Sequence, residues 1–337
     1  MPNYKVTYGG WYQRTTLHLS EVYNFFAFAY TNTDLSKEKL QRFRESLHLS
    51  SVTREVGYLE YVRAITESGI EIKYFEDGLY ILNLSSPNIK EGQEILARYF
   101  EEIFNPAIQY LFSLGAPTPK VLANIRSFHP TVVTLVMTEP EKFTVNEAEF
   151  GVVYSRISSE STIVFKTRDY IFIIAKFAEG IADELVDMQI FFREYKDQLE
   201  KYLNIHRKVW EEIEEIKEKK QVRGSELEKI RKKLDRYQKT VSLINSRIIQ
   251  MESYVETRQE ISRELDVEKH LNKLFQYKFE TLADSREYIE ELWVMTTDYL
   301  NSAIQVIVEL KNQSTKNSIT SLTVITTLGV VASILTY

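Results

Sequence analysis

The chain has 337 residues, of which 44% are hydrophobic and 27% are charged. This balance excludes disordered, collagen-like and mucin-like chains and leaves room for two domains with a sizeable core. The absence of Cys excludes disulfides, thiolate metal sites and Cys nucleophiles. A formal net charge of −6 argues against a general nucleic-acid-binding protein, because no overall basic field would attract phosphate.

Proline and glycine divide the sequence into two parts. All seven prolines lie at or before Pro140, and beyond Gly180 the only glycines are Gly224 and Gly329. Both residue types interrupt helices, so the second part can form very long ones. We therefore predict an α+β domain over 1–178, with helices on a mostly antiparallel sheet. Long antiparallel coiled-coil helices are expected over 179–316.

The first part contains strand patterns and one long helix. Residues 71–84 predict a β-hairpin, because Asp77 and Gly78 supply the positive-φ residues that a type I′ turn requires. Apolar residues recur at helical spacing over 90–113, and Pro106 is expected to kink or divide this helix. Further strands are predicted over 131–137, 150–157, 162–166 and 170–174.

The second part predicts three long helices. From Met188 the apolar residues alternate four and three apart, as in a coiled-coil seam that only His206 interrupts. His206 fits either a metal site or pH switch, or a hydrogen-bonded helix contact; we expect the contact, because no second His or nearby acid completes a site. Gly224 and the series Ser225 to Glu228 predict a turn and a capping box that start the second helix.

The second helix carries the most regular apolar pattern in the chain. Its predicted seam comprises Leu227, Ile230, Leu234, Tyr237, Val241, Ile244, Ile248, Met251 and Val255. Such a stripe requires a partner helix in water. The seam fails at Arg258, and the polar stretch 263–266 is the predicted place of reversal. A third helix is expected from Leu271 onwards, continuous into the C-terminal segment.

Residues 317–337 contain no charged side chain, and this length suffices to cross a hydrocarbon layer of about 30 Å. We predict a transmembrane helix here. Lys311 and Lys316 precede it, so the positive-inside tendency places the preceding domain in the cytoplasm, at the cell membrane. The alternative is a buried core helix at the end of a soluble bundle.

This order of elements, and the residues at the start of the C-terminal segment, resemble the CorA-type divalent-cation (magnesium) transporter family. The series Thr315-Lys-Asn-Ser-Ile-Thr-Ser-Leu-Thr-Val-Ile-Thr-Thr327 is similar to the family's stalk-to-membrane junction, Thr-Asn, two residues, Met-Lys, one residue, Leu-Thr-Ile-Ile. Residues 69–82 are similar to its N-terminal hairpin. Asp284 and Asp298 fall where the family's stalk helix commonly has acidic residues.

The resemblance implies a pore, a regulatory metal site and a set of partners. Ile319 and Leu322 would close the pore by excluding water, while Thr326 and Ser333 would present hydroxyl groups to a hydrated ion. The full implied pore-lining series is Lys316, Ile319, Leu322, Thr326, Val330 and Ser333. Asp284 and Glu280 would contribute to regulatory metal binding, although Thr281 stands where the family has an acid. The implied partners are a lipid membrane and further copies of the chain, forming a pentamer, with no nucleic acid.

The sequence departs from the family in two places. The family's Gly-Met-Asn selectivity motif would begin just beyond Tyr337, so we expect 317–337 to be the first of a pair of membrane helices or the span of a single-span relative. Lys316 stands where the family usually has a pore-facing Asn, and a ring of ammonium groups would repel a divalent cation. A one-residue rotation that turns Asn317 inward would remove this repulsion.

Three functional hypotheses follow. The first is a CorA-like channel or transporter for Mg²⁺ or Co²⁺, with a cytoplasmic metal-sensing domain and no tightly bound cofactor. The second is a non-conducting, tail-anchored coiled-coil adaptor that binds a protein partner, and the third is a soluble helical bundle. We expect no enzyme, because Gly9 and Gly10 lack a Walker lysine and no nucleophile-elbow sequence surrounds a serine.

Overall fold

The computed structural model describes residues 3–12, 18–113, 129–176, 179–219 and 224–334, and for 179–180, 224–225 and 313–334 it describes the backbone alone. An α+β region with one large sheet is followed by long helices. The strands are β1 (Tyr4–Trp11), β2 (Leu49–Glu55), β3 (Tyr61–Thr66), β4 (Glu71–Phe75), β5 (Leu79–Ser86), β6 (Thr131–Val136), β7 (Ser155–Ser158), β8 (Thr162–Lys166) and β9 (Tyr170–Ala175). The α-helices are α1 (Leu19–Phe28), α2 (Lys37–Ser46), α3 (Ile89–Tyr99), α4 (Asn105–Leu111), α5 (Glu147–Phe150), α6 (Glu179–Lys217), α7 (Gly224–Glu264), α8 (Glu268–Phe275) and α9 (Phe279–Ile334).

In the described part of the chain the sheet has nine strands in the order β2-β3-β4-β5-β1-β6-β9-β8-β7. Every neighbouring pair is antiparallel except β6 and β9, so the expected mostly antiparallel sheet is confirmed. After β6 the chain passes to the edge strand β7 and then returns through β8 to β9. Strand β9 lies beside β6 and runs parallel to it.

One sheet face packs on an apolar layer of helices. Strand residues such as Val6, Ile72 and Leu82 are fully buried there, together with Phe25 of α1 and Leu96 of α3. Strands alternate their side chains between two faces, so the residues next to these in sequence point to the opposite face. The opposite face carries Lys5, Thr7, Lys73 and Asn83, and charged contacts join it to α6.

The predicted hairpin is confirmed, but its predicted turn type is wrong. Strands β4 and β5 pair with Tyr74 opposite Tyr80, which leaves a three-residue loop over 76–78. Only Gly78 in that loop has positive φ, at 89°. A type I′ turn needs two such residues, whereas a three-residue loop needs one left-handed residue at its end. The side chain of Asp77 accounts for this choice, because its carboxylate accepts the Leu79 N–H at 3.0 Å.

The helix predicted over 90–113 forms α3 and α4, joined by a π-helical turn over Phe100–Phe104. Pro106 has no amide hydrogen, and the Asn105 N–H reaches back to the Phe100 carbonyl, five residues earlier. The local widening accommodates the proline without breaking the helix axis. The predicted division at Pro106 is therefore confirmed as a change of hydrogen-bond pattern.

Two predicted elements differ from the structure. The strand expected over 150–157 is reduced to β7, because Glu147–Phe150 forms the short helix α5. The third long helix does not start at Leu271: α8 ends at Phe275, Gln276 adopts a left-handed conformation with φ of 58°, and α9 starts at Phe279. The apolar pattern that begins at Leu271 belongs to the separate short helix α8, whose buried residues are Leu271, Leu274 and Phe275.

The chain forms two compact units: Met1–Leu199 with Gln250–Ser285, and Glu200–Ile249 with Arg286–Tyr337. The long helices contribute to both. In the second unit, the apolar residues of α6 and α7 are buried as the coiled-coil spacing predicted, including Val209, Ile213 and Ile244. Helix α9 packs there through Trp293, which is fully buried, and through Tyr299, whose ring stacks on Trp210 at 4.3 Å.

Substitution of Gly78 by Ala tests the turn. A Cβ at this position would overlap the carbonyl oxygen of Tyr12, and the positive φ adds strain. We expect Gly78→Ala to lower the free energy of unfolding by roughly 3 kcal/mol or more. Gly69→Ala is the matched control, because Gly69 has φ of 83° with open space around it.

Urea denaturation of both variants measures the difference, and Gly69→Ala is expected to cost only about 1 kcal/mol, the penalty of the left-handed conformation alone. Equal losses in the two variants would contradict the close approach of Tyr12 to the turn.

Candidate functional site

The residues predicted to line a pore lie at the end of α9. The backbone remains helical through to Ile334. The side chains of Lys316, Ile319, Leu322, Thr326, Val330 and Ser333 lie outside the described side chains. Their predicted role therefore stays a prediction.

The part of α9 before this segment has one face that is exposed along the second unit. We call this face the outer stripe. It comprises Tyr288, Glu291, Met295, Asp298, Asn301, Gln305, Val308 and Asn312, which are all exposed. Tyr288 and Met295 are 57% and 54% exposed, which is unusual for large apolar side chains. The opposite face of α9 carries Trp293 and Leu300, which are buried, so the helix is anchored on one side and open on the other.

The two residues predicted to bind regulatory metal lie at the start of α9. Glu280 and Asp284 are exposed and one helical turn apart, and Thr281 beside them is also exposed. Among the described residues, no group of three or more His, Asp or Glu side chains is placed to hold a metal ion. Two carboxylates on one helix can supply only part of a divalent-cation site, so further ligands would have to come from elsewhere.

Within the stretches whose side chains are described, no helix combines the length and apolar character needed to cross a membrane.

A layer of charges, buried at Lys73 and Asp187 and half-buried at Lys5 and Asp183, lies between the sheet and α6 in the first unit. The Lys5 ammonium on β1 contacts both carboxylate oxygens of Asp183 at 2.8 and 2.7 Å. The Lys73 ammonium on β4 contacts Asp187 at 3.3 Å. Asp183 and Asp187 are one turn apart on α6, so a single helix face neutralises lysines from two strands.

The most deeply buried ion pair joins the β4–β5 turn to α7. The guanidinium of Arg258 contacts Asp77 Oδ2 through two nitrogens, each at 2.8 Å, and both side chains are 2% exposed. The guanidinium also lies over the rings of Phe75 and Phe191, 4.7 and 5.2 Å from their centroids. The Nε–H donates the hydrogen bond to Asp77, and the planar guanidinium stacks on the two rings at the same time, a combination that suits Arg better than Lys.

One acid in this layer has no partner of its own. Glu184 follows Asp183 on α6 and makes no hydrogen bond or ion pair with the described residues. Burial raises the pKa of Glu184, and the negative charge of Asp187 raises it further. Burial likewise raises the pKa of Asp187, while Lys73 opposes the shift. Lys73 and Arg258 oppose the rise in the pKa of Glu184 without cancelling it.

His206 packs at a helix contact in the second unit, as expected, but the expected hydrogen bond is not formed, because neither ring nitrogen has a hydrogen-bond partner among the described residues. Its ring lies 5.8 Å from that of Trp210 and 5.9 Å from that of Trp293. Burial lowers the pKa of His206, so the neutral imidazole is favoured. A neutral aromatic ring beside two indoles indicates a packing role.

Sequence reasoning missed the buried charge layer. Asp77 and Arg258 are 181 residues apart, and Lys73 and Asp187 are 114 apart, so no spacing pattern connects them. One signal was present: Lys73 lies between Ile72 and the aromatic residues Tyr74 and Phe75. A charged residue in a strand that is buried on both faces requires a partner charge.

No family model, curated protein or solved structure matches this chain. The CorA resemblance therefore depends on the residues of the junction, the hairpin and the stalk helix.

Removal of the Arg258 guanidinium tests the importance of the buried pair. We expect Arg258→Ala to lower the free energy of unfolding by about 3–5 kcal/mol, because Asp77 would be left buried without a counter-charge. Arg263→Ala is the control, since Arg263 lies in the last turn of the same helix and pairs with Glu268 at an exposed position.

The control variant should lose less than about 1 kcal/mol in urea denaturation. A loss of the same size in both variants would mean that Arg258 acts only through its helix and not through Asp77.

Neutralisation of Glu184 should stabilise the protein at neutral pH. Because the pKa of this carboxyl is raised in the folded protein, the folded state binds its proton more tightly than the unfolded state does. Its ionised form therefore destabilises the fold above the raised pKa, and this penalty disappears as the pH falls towards 4.5. Glu184→Gln is expected to raise Tm by roughly 1–3 °C at pH 7.5 and to have no effect near pH 4.

Thermal unfolding followed by circular dichroism across this pH range measures the effect. Glu211→Gln, at an exposed position on the same helix, is the control and should leave Tm unchanged at both pH values. A lower Tm of Glu184→Gln at pH 7.5 would show that the ionised carboxylate stabilises the layer.

Proposed function

We propose that this chain is a subunit of a CorA-like membrane channel for divalent cations, with its α+β domain in the cytoplasm. The observation that carries the proposal is the continuity of α9, whose helical backbone runs for 56 residues from Phe279 to Ile334. At 1.5 Å per residue this is about 84 Å, long enough for a cytoplasmic stalk and a membrane span in one helix.

The outer stripe supports self-association along the stalk. Its members recur on average about every 3.4 residues, close to the 3.5-residue repeat by which helices wind around one another. The predicted pore-lining series begins at Lys316, four residues after Asn312, and keeps a similar spacing. The outer stripe, which is exposed in a single subunit, therefore lies on the same side of α9 as the residues proposed to line the pore. Several copies of α9 around one axis would bury Tyr288 and Met295 between neighbours.

The carboxylates of the outer stripe support cation conduction. Glu291 and Asp298 would form stacked rings of negative charge around the axis, and such rings raise the local concentration of cations. Mg²⁺ retains its water molecules tightly, so carboxylates that attract the hydrated ion without stripping it suit this ion. Glu280 and Asp284 would supply part of a regulatory metal site, completed by ligands from a neighbouring subunit.

Transport by the natural gene product, reconstituted in liposomes, tests the proposal. We expect uptake of Mg²⁺, and of Co²⁺ in a parallel assay, reported by a metal-sensitive dye trapped in the vesicles. The double variant Glu291→Gln/Asp298→Asn removes both proposed rings and should reduce uptake roughly tenfold at low cation concentration. Uptake should approach the wild-type rate at high concentration, because the rings gather ions and do not form the gate.

The control variant Glu211→Gln/Glu215→Gln removes the same charge from an exposed face of α6. It should transport at the wild-type rate. Equal losses in the two double variants would indicate a general effect of net charge and would contradict a role for the outer stripe.

The same preparation separates the channel from the two alternatives. A detergent-extracted oligomer that transports no cation would support the tail-anchored adaptor. Recovery of the protein without detergent from carbonate-washed lysate would support the soluble bundle and would overturn both membrane hypotheses.

A further inference from the structure

A cavity of about 490 Å³ opens beside the second half of the sheet. It lies among the start of β1, the β5–α3 connection and the segment 143–150, with β9 at its base. This volume is within the range of small-molecule sites. The proposed transport function assigns it no role.

Aromatic rings make up much of its wall. Phe172 of β9 is fully buried behind the cavity, and the partly buried Phe150 of α5 packs on it edge-on at 5.4 Å and 71°. Phe143 lies 6.1 Å from Phe172 at 40°, and Tyr4 completes the lining on the β1 side. Tyr4, Phe143 and Phe150 are partly buried and line the cavity, and the negative faces of aromatic rings favour a positive occupant.

The polar groups of the cavity are acidic or neutral. Glu149 is exposed at the mouth, and the Asn146 side-chain amide donates to its Oε2 at 3.3 Å. Asn88 also lines the cavity, but its side-chain oxygen Oδ1 already accepts hydrogen bonds from the backbone N–H groups of Lys90 and Glu91 at the start of α3. Among the described residues that line this space, none is Lys, Arg or His. An anionic ligand would therefore meet a carboxylate and no counter-charge.

We propose that this cavity binds an organic ammonium ion, with its N-alkyl groups against the phenylalanine rings and its charge facing Glu149. Glu149 is the one carboxylate among the described lining residues, and a divalent metal ion needs more charged oxygen ligands than this. A neutral aromatic ligand would use the rings but would gain nothing from Glu149. The ammonium ion is the ligand class that uses both features.

Choline and its neutral isostere 3,3-dimethylbutan-1-ol test the proposal on the full chain by isothermal titration calorimetry. The two probes have the same shape and differ in charge. We expect choline to bind at least about fivefold more tightly, the gain of a cation over aromatic rings beside a carboxylate. Glu149→Gln should reduce this preference to less than about twofold, whereas Glu141→Gln, a nearby exposed residue outside the cavity, should leave it unchanged.

Phe143→Leu is the second variant. It should weaken the binding of both probes, because leucine offers less apolar contact area than phenylalanine, and the binding of choline should fall more, because the ring is lost. Circular dichroism checks that each variant is folded. Equal affinity for the two probes, no saturable binding of choline at millimolar concentration, or a loss in Glu141→Gln as large as that in Glu149→Gln would each overturn the proposal. None of these outcomes depends on transport.

Discussion

The fold of the first unit depends on the neutralisation of charges buried between the sheet and the long helices. Lys5 and Lys73 lie on the sheet face that contacts α6, and at the buried Lys73 an uncompensated ammonium group would cost several kcal/mol. Asp183 and Asp187 meet them at one-turn spacing, so the position of α6 along the sheet is set by two ion pairs. A shift of α6 by one residue would turn both carboxylates away from their lysines. Apolar contacts alone tolerate such shifts much better.

The Asp77–Arg258 pair extends this constraint to α7. Two hydrogen bonds fix the position of Asp77 in the turn. Its carboxylate oxygen Oδ1 accepts the Leu79 N–H, and its backbone carbonyl accepts the Trp11 indole N–H at 2.7 Å. Arg258 thus docks on a carboxylate that the hairpin has already oriented. The interaction explains why residues 250–285, far along the chain, belong to the same compact unit as the sheet.

Periodicity predicted those elements whose apolar faces are regular. The seam of α7, the strand at 131–136 and the hairpin could all be recognised because each one buries a repeated pattern of side chains. The turn at 76–78 could not, since it depends on one carboxylate that also pairs with Arg258. The break between α8 and α9 was missed because Gln276, a residue with no strong turn preference, carries the left-handed conformation. On the candidate site, the sequence indicated acids at 284 and 298, but the exposure of Tyr288 and Met295 is a property of the packed helices.

The length of α9 also has a mechanical consequence. An uninterrupted helix without proline or glycine before Gly329 is a stiff rod, because each turn is braced by its backbone hydrogen bonds. A tilt of about 5° at Phe279 would displace the far end, some 84 Å away, by roughly 7 Å. Small rearrangements near the first turn of this lever would therefore be amplified into movements larger than the diameter of a water molecule at its tip.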